Sequence, residues 1–407
     1  MRIPKSIQLL VAFIVFLLCS ESCEKIMPKA PELNQTLNAP LDGLTYEQNK
    51  IHLLGAAEFD EIYTGATGLG PLFVAASCSG CHNADSKGTP FTQLTRFGQT
   101  DTLGNTFLDQ GGPQLQHNFL PGFEGEQLPQ GASHSHFVAP IVAGLGFLEL
   151  VNEQDIIALA DPEDADADGV SGRINWNTLP DWVQPKATAE FKNGKYICRF
   201  GKKGSTYNLH QQVVQASNQD MGLTSTFMPQ NPYNVLTGTQ SIGTSDPDIT
   251  DQSINSNVFY IQTLQAPERR NADDVTVLLG NELFRQIGCN SCHVEKLKTG
   301  YSAVDALSNK TFYPYTDMLL HDMGSALDDN YTEGTALSAE WKTPPLWGLG
   351  LSAQAQGGGY FLLHDGRAQS IEEAIEYHNG EAAASKSNYK TLSQSEKAAL
   401  ITFLNSL

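Results

Sequence analysis

Cys289-Asn290-Ser291-Cys292-His293 is the stretch that decides the fold, and Cys78-Ser79-Gly80-Cys81-His82 repeats its pattern nearer the start of the chain. Two thiols three positions apart on one helical turn can each add to a vinyl group of one porphyrin. The His that follows is then held under the iron as its proximal ligand. A zinc knuckle does not need His directly after the second Cys, and a redox dithiol needs it still less. Two such motifs in one chain read as two covalently bound c-type haems, on Cys78, Cys81, Cys289 and Cys292, with His82 and His293 on the irons.

The remaining cysteines fit that reading. Cys19 and Cys23 lie in the leader, and Cys198 is left over as a lone buried thiol. No disulfide framework is visible. The 407 residues have room for two ordinary cores. The net charge is -20, from 25 basic and 45 acidic side chains. That excludes nucleic acid and an anionic membrane surface as natural partners and favours a basic one, such as a small cytochrome acting as electron carrier.

Residues 1–22 read as a signal peptide. Arg2 and Lys5 supply the charge and Ile7 to Leu18 the apolar stretch, which is too short to span a bilayer comfortably. Ser20 and Ser22 flank Cys23, so the chain is expected to be exported to the periplasm or cell surface, as a lipoprotein anchored at Cys23 or as a simply cleaved product. Export suits covalent haem. A Pro-, Asn- and Lys-containing tether is expected over 23–50, an N-terminal haem domain with insertions over 51–265, and a C-terminal cytochrome c domain over 266–407. The fold class expected is mainly α, with two cytochrome c-like domains and long irregular loops.

Several stretches support that division. The region from Gly88 to Gly131 has no lasting period and reads as loop over a haem edge. Thr263 to Asp274, with Pro267, reads as the linker. Val275 to Ile287 has helical spacing before the second motif, with Val275, Leu278, Leu279, Leu283, Phe284 and Ile287 apolar. Ser393 and Glu396 make a capping box for a last helix whose stripe is Leu400, Phe403, Leu404 and Leu407. Asp164, Asp166 and Asp168, ahead of Gly169, have the alternating spacing of a calcium loop, although Asn175 stands where the usual Glu would be. A solvated acidic turn is the alternative.

Thr316-Asp317-Met318-Leu319-Leu320-His321-Asp322-Met323-Gly324, Thr343-Pro344-Pro345-Leu346-Trp347-Gly348-Leu349 and Phe361-Leu362-Leu363-His364-Asp365-Gly366-Arg367 follow the second motif in order. This half resembles the bacterial di-haem cytochrome c peroxidases. Most of the chain is similar to the di-haem oxidoreductases described as peroxidases or thiol oxidoreductases. That likeness includes Gly68-Leu69-Gly70-Pro71-Leu72-Phe73, Gly111-Gly112-Pro113-Gln114-Leu115, Arg199-Phe200-Gly201, Asp220-Met221-Gly222-Leu223-Thr224-Ser225 and His378-Asn379-Gly380-Glu381-Ala382. The resemblance implies that His378, where the family often carries Met, is the second axial ligand of the haem on His293. The residues agree, since His378 ends a helix and Asn379-Gly380 stops it. His364 and His321 are expected to support neighbours.

The opposite face of the first haem is open to several readings. The peroxidase resemblance points to the stretch before Ala139-Pro140, where His134 and His136 stand. Either could ligate the iron, or act as acid and base beside an open face where a small oxidant such as peroxide binds. Glu149 and Gln114 are further polar candidates, and Trp341 or Trp347 could lie between the haems. An enzyme would have one open iron. A carrier would have two six-coordinate ones. A surface haem sensor or iron-uptake partner is the third possibility.

Overall fold

A computed structural model describes residues 36–82, 87–99, 104–237 and 247–407. The leader and Cys23 lie outside the described residues. Helix outweighs strand, about 32% against 13%, so the mainly α expectation holds in that coarse form. The strands are short and pair in sheets of two or three.

Two helix pairs frame the two motifs. Helix α1 (Tyr46–Asp60) opens on Thr45 in a capping box with Gln48 and precedes the first motif. It packs on a later helix, here called α3 (Asp251–Gln262), which follows α2 (Leu209–Gln219). Helix α4 (Val275–Gln286) runs into the second motif; Asp274 caps it by accepting from the N–H groups of Thr276 and Val277. It packs on the last helix, α6 (Gln394–Ser406), with α5 (Ile371–Glu376) between them in sequence. Each pair crosses at a glycine. A Cβ on Gly55 would stand 2.0 Å from the Ser256 carbonyl oxygen, and one on Gly280 would stand 2.1 Å from that of Ala399. Backbones approach this closely only where one partner has no side chain.

The capping box at Ser393 and the buried stripe of α6 are as expected. The face of α4 is not. Val277, Gly280, Asn281, Leu283 and Phe284 turn inward, whereas Val275, Leu278 and Leu279 remain exposed. The Gly280 crossing fixes which side meets α6, and the apolar residues off that side stay in solvent.

The core does not part at residue 265. Leu297, Phe312, Met318, Leu319 and Trp347 join the first core, with Phe59, Leu148, Val214 and Ile254. A second core gathers Val277, Phe284, Tyr315, Leu362, Ile371, Leu400 and Phe403. Nor does 36–50 hang free: Leu37 and Leu41 are buried, and the N–H of Leu41 donates to the Thr263 carbonyl at 2.8 Å. The expected linker is fastened too, since Arg270 N–H donates to Ser406 O at 2.7 Å.

A short hairpin sheet completes the frame. Strand β1 (Leu94–Phe97) pairs antiparallel with β2 (His134–Phe137), with Leu94 opposite Phe137 and Arg96 opposite Ser135. Further along, β3 (Leu320–Asp322) pairs with β4 (Glu340–Lys342).

Replacing Gly280 with Ala forces α4 and α6 apart. Unfolding free energy is expected to fall by about 1–3 kcal/mol, even though alanine is the better helix former. Denaturant unfolding of the haem-loaded protein measures it, and an unchanged midpoint would show that the crossing tolerates a methyl group.

Candidate haem site

Both motifs open into one continuous cavity of about 480 Å³, lined by Cys78, Cys81 and His82 at one end and by Cys289, Cys292, His293 and His378 at the other. Each motif is a tight turn. His82 N–H donates to Cys78 O at 2.9 Å, and His293 N–H to Cys289 O at 3.0 Å. Gly288, at φ 89°, makes the left-handed bend that lets α4 end where the second turn begins.

The histidines are oriented by main-chain carbonyls. His82 Nδ1 donates to Pro140 O at 3.0 Å, His293 Nδ1 to Tyr315 O at 2.9 Å, and His378 Nδ1 to Ala374 O at 2.7 Å. With Nδ1 committed, Nε2 of His293 and of His378 is the nitrogen left to face a metal. Burial keeps His293 neutral by pushing it down to about 4, and lowers His378 likewise. Burial also raises the thiols of Cys78, Cys81 and Cys289 to about 12. An apolar cavity lined by both motifs, with each His oriented by a main-chain carbonyl, suits haem.

His321 and His364 are committed elsewhere. His321 lies buried between two carboxylates, 2.8 Å from Asp317 Oδ2 and 2.7 Å from Glu381 Oε2. Glu381 also accepts from Ser171 and from the N–H of Asp322. His364 Nε2 bonds Asp329 at 2.8 Å, and its ring stacks on Trp341 at 3.7 Å. Both therefore support their neighbours, as expected.

The expected catalytic residues need correction. His134 and His136 do not line the cavity; both are exposed. Alternation along β2 is the reason. Phe137, Leu94 and Arg96 share the face that meets the cavity, so His134 and His136 point the other way. His136 Nδ1 meets Thr95 Oγ1 at 3.0 Å instead. Glu149 is structural as well: its oxygens accept from Leu209 N–H at 2.8 Å and Gln262 Nε2 at 2.6 Å.

Arg96, Gln114, Gln219 and Asp220 are among the polar groups that line the cavity with Cys78, Cys81 and His82. Arg96 donates to Glu333 at 3.0 Å and to Gln219 at 2.7 Å. Gln114 Nε2 bonds the Asp220 carboxylate. Burial pushes Asp220 up to about 6, against the pull of Gln114 and Arg96. Sequence reasoning named Gln114 and missed the others. The alternation Leu94-Thr95-Arg96-Phe97, inside a stretch read as loop, was the available signal for Arg96.

Trp341 lines the cavity, and Trp347 packs in the first core without lining it. Of the calcium candidates, Asp164 and Asp166 come together with Asp161, while Asp168 stands outside the group and accepts from Val170 N–H. Asn175 is buried and donates to the carbonyls of Lys203 and Glu333, which removes it from that loop.

A frame of two paired helices around one cavity with two Cys-x-x-Cys-His turns defines a two-haem protein. Residues 134–407 match the family of di-haem oxidoreductases, putative peroxidases, and the chain belongs to that family. Among solved structures it is similar to Kuenenia stuttgartiensis hydrazine synthase, at 16% identity and TM-score 0.29, over 73% of this chain and 100% of that one. It is also similar to a MauG-like protein associated with microbial copper homeostasis, at 14% identity and TM-score 0.30, over 71% and 94%. No curated protein matches it.

The Asp317–His321–Glu381 network makes stability depend on pH. Burial opposes charge on His321, but its carboxylate partners raise it to about 12. Burial likewise opposes Glu381, and the bonds from His321, Ser171 and Asp322 hold it at about 2. A raised His stabilises fully below its ordinary value of 6.5 and less as pH climbs towards 12. A lowered Glu stabilises above 4.5 and fades as pH falls towards 2. Unfolding free energy is thus expected to be lower at about pH 9 than at about pH 6, with a flatter profile in His321→Gln. Parallel profiles for the two proteins would rule the network out as the cause.

Proposed function

We propose that the protein is an exported di-haem c-type oxidoreductase that reduces a peroxide at its first haem, with electrons entering through its second. The observation that carries this is the difference between the two ends of the cavity. At the second end His293 and His378 both line the cavity with Nδ1 already bonded, which leaves each Nε2 for a six-coordinate haem. At the first end His82 shares the cavity with Arg96, Gln114, Gln219 and Asp220. A haem with two imidazoles passes electrons, and one with an open face binds and reduces a small oxidant.

The chain's own residues supply the protons and the charge. Asp220 sits near the proton affinity that general acid–base work at neutral pH needs. Arg96, held by Glu333 and Gln219, keeps a fixed cation beside it. Two electrons and two protons convert hydrogen peroxide to two waters. The acidic chain suits a basic small cytochrome as donor. Lipidation at Cys23 and calcium on Asp161, Asp164 and Asp166 complete the reading. Among the described residues, no helix is long and apolar enough to cross a membrane.

The test is spectroscopic. In the half-reduced form, EPR and resonance Raman are expected to show one high-spin and one low-spin haem, and peroxide is consumed with a reduced cytochrome as donor. Two low-spin haems in every redox state, inert to peroxide and cyanide, would make the protein a carrier instead. Arg96→Leu is expected to lower peroxide turnover by about 10²–10³ without altering the second haem's spectrum. His378→Gly should turn that haem high-spin, and His378→Met should keep it low-spin at a raised potential. An unchanged spectrum in His378→Gly would remove His378 as ligand.

A further inference from the structure

The buried and half-buried cations around the cavity are of two kinds. One kind is saturated by protein. Lys203 Nζ donates to the carbonyls of Leu337, Ser338 and Glu340 at 3.1, 2.8 and 2.9 Å. Arg199 donates to the carbonyls of Leu148, Glu149 and Val151 and pairs with Glu153 at 3.4 Å. Arg96 pairs with Glu333 at 3.0 Å. The second kind is Lys87, Lys202 and Lys342, all of which line the haem cavity.

Among the described residues, none of these three half-buried lysines has an anion at ion-pair distance; Asp365 and Asp317 act on Lys202 and Lys342 only from farther off. Lys87 Nζ reaches Ser352 Oγ at 2.9 Å, and Lys342 Nζ only the neighbouring Thr343 carbonyl at 3.3 Å. Among the described residues Lys202 Nζ makes no hydrogen bond, and none of the three forms an ion pair. The fold nevertheless collects them. The N–H of Lys342 donates to Lys202 O at 3.1 Å. Gln356 Nε2 donates to Gly88 O at 2.7 Å and holds the Lys87 segment against the Ser352 turn. The charges act on one another: burial first, then Lys87 and Lys342, push Lys202 down to about 7.

The cluster also spans the two motifs. A Cβ on Gly88, next to Lys87, would stand 2.7 Å from Cys81 O, so this segment lies on the first motif. Lys342 lies within reach of the charge of Asp317, whose N–H donates to Cys292 O at 3.1 Å in the second. Ammonium groups partly withdrawn from water, with no carboxylate at ion-pair distance, favour a ligand that supplies the charge.

We infer that Lys87, Lys202 and Lys342 form one carboxylate-binding cluster that receives haem propionates from both motifs. The inference rests on the reading that the cavity holds two haems. Each porphyrin brings two propionates, and the patch lies where both can be served. Ammonium groups shared by two haems stabilise the extra electron on either iron, so one side-chain charge sets both potentials. A free carboxylate is the other source of the same chemistry.

The test uses the protein matured with both haems. Midpoint potentials are read by spectroelectrochemistry and propionate bending bands by resonance Raman. In Lys202→Met both potentials are expected to fall and the propionate bands to shift, with Lys202→Arg restoring the wild-type values and the exposed-site control Lys192→Met changing neither. Should Lys202→Met not fold, Lys87→Met and Lys342→Met carry the same readouts. Unchanged potentials and bands in a folded charge-removing variant overturn the assignment. Acetate titrated into the wild type is expected to leave the Soret band unchanged; a saturable change that Lys202→Met abolishes means the cluster takes a free carboxylate, which also overturns it. A polypeptide lacking the mass of two haems would instead defeat the underlying two-haem reading, before any variant is compared.

Discussion

A ring nitrogen that donates to a main-chain carbonyl cannot turn without losing that hydrogen bond. His82, His293 and His378 are each held in this way, by Pro140, Tyr315 and Ala374. The carbonyls are held in turn. Tyr315 and Met318 sit at φ 56° and 63°, a region that side-chain-bearing residues enter only when their surroundings fix them. Here Thr316 N–H donates to Val294 O, Asp317 N–H to Cys292 O, and Thr316 Oγ1 to Thr343 O at 2.6 Å. The segment is therefore stitched to the second Cys-x-x-Cys-His turn on one side and to the strand after Trp341 on the other. Imidazole direction, the step that makes a haem site rather than a pair of thiols, is a property of this backbone.

The two motifs share one cavity because the chain does not keep its halves apart. Leu297, Leu307, Phe312, Met318, Leu319 and Trp347 leave the second helix pair and enter the first core, and the same stretch carries Trp341 and Thr343 along the cavity wall. The helix pair of α4 and α6 closes the far end with Phe284, Leu400 and Leu404. Two glycine crossings of the same kind, at Gly55 and Gly280, set the two ends. Neither crossing touches the cavity, yet each decides which helix face a haem would meet.

What could be read from the sequence follows from how local each signal is. The Cys-x-x-Cys-His turns, the Ser393 cap and the α6 stripe depend on neighbours within four residues, and all appear in the fold. Resemblance supplied His378, and its place in the cavity is a matter of one helix end. The errors are non-local. His134 and His136 stand where a distal residue was expected, but which side of β2 faces inward is set by pairing with β1, about 40 residues away in the chain. Arg96 enters by the same pairing, and Asp220 arrives from the end of α2. Val275, Leu278 and Leu279 fit a helical period, yet the period does not say which face a partner will cover.

Charge is segregated in this molecule. The chain carries 45 acidic against 25 basic side chains, and its buried cations gather at and around the cavity. Where such a cation serves the fold it is saturated: Lys203 by three carbonyls, Arg96 by Glu333, Arg173 by Glu340. Lys87, Lys202 and Lys342 line the cavity with no ion pair among the described residues. A protein gains nothing in stability from burying charge that it does not itself neutralise. The unsaturated lysines are therefore intelligible only together with what fills the cavity.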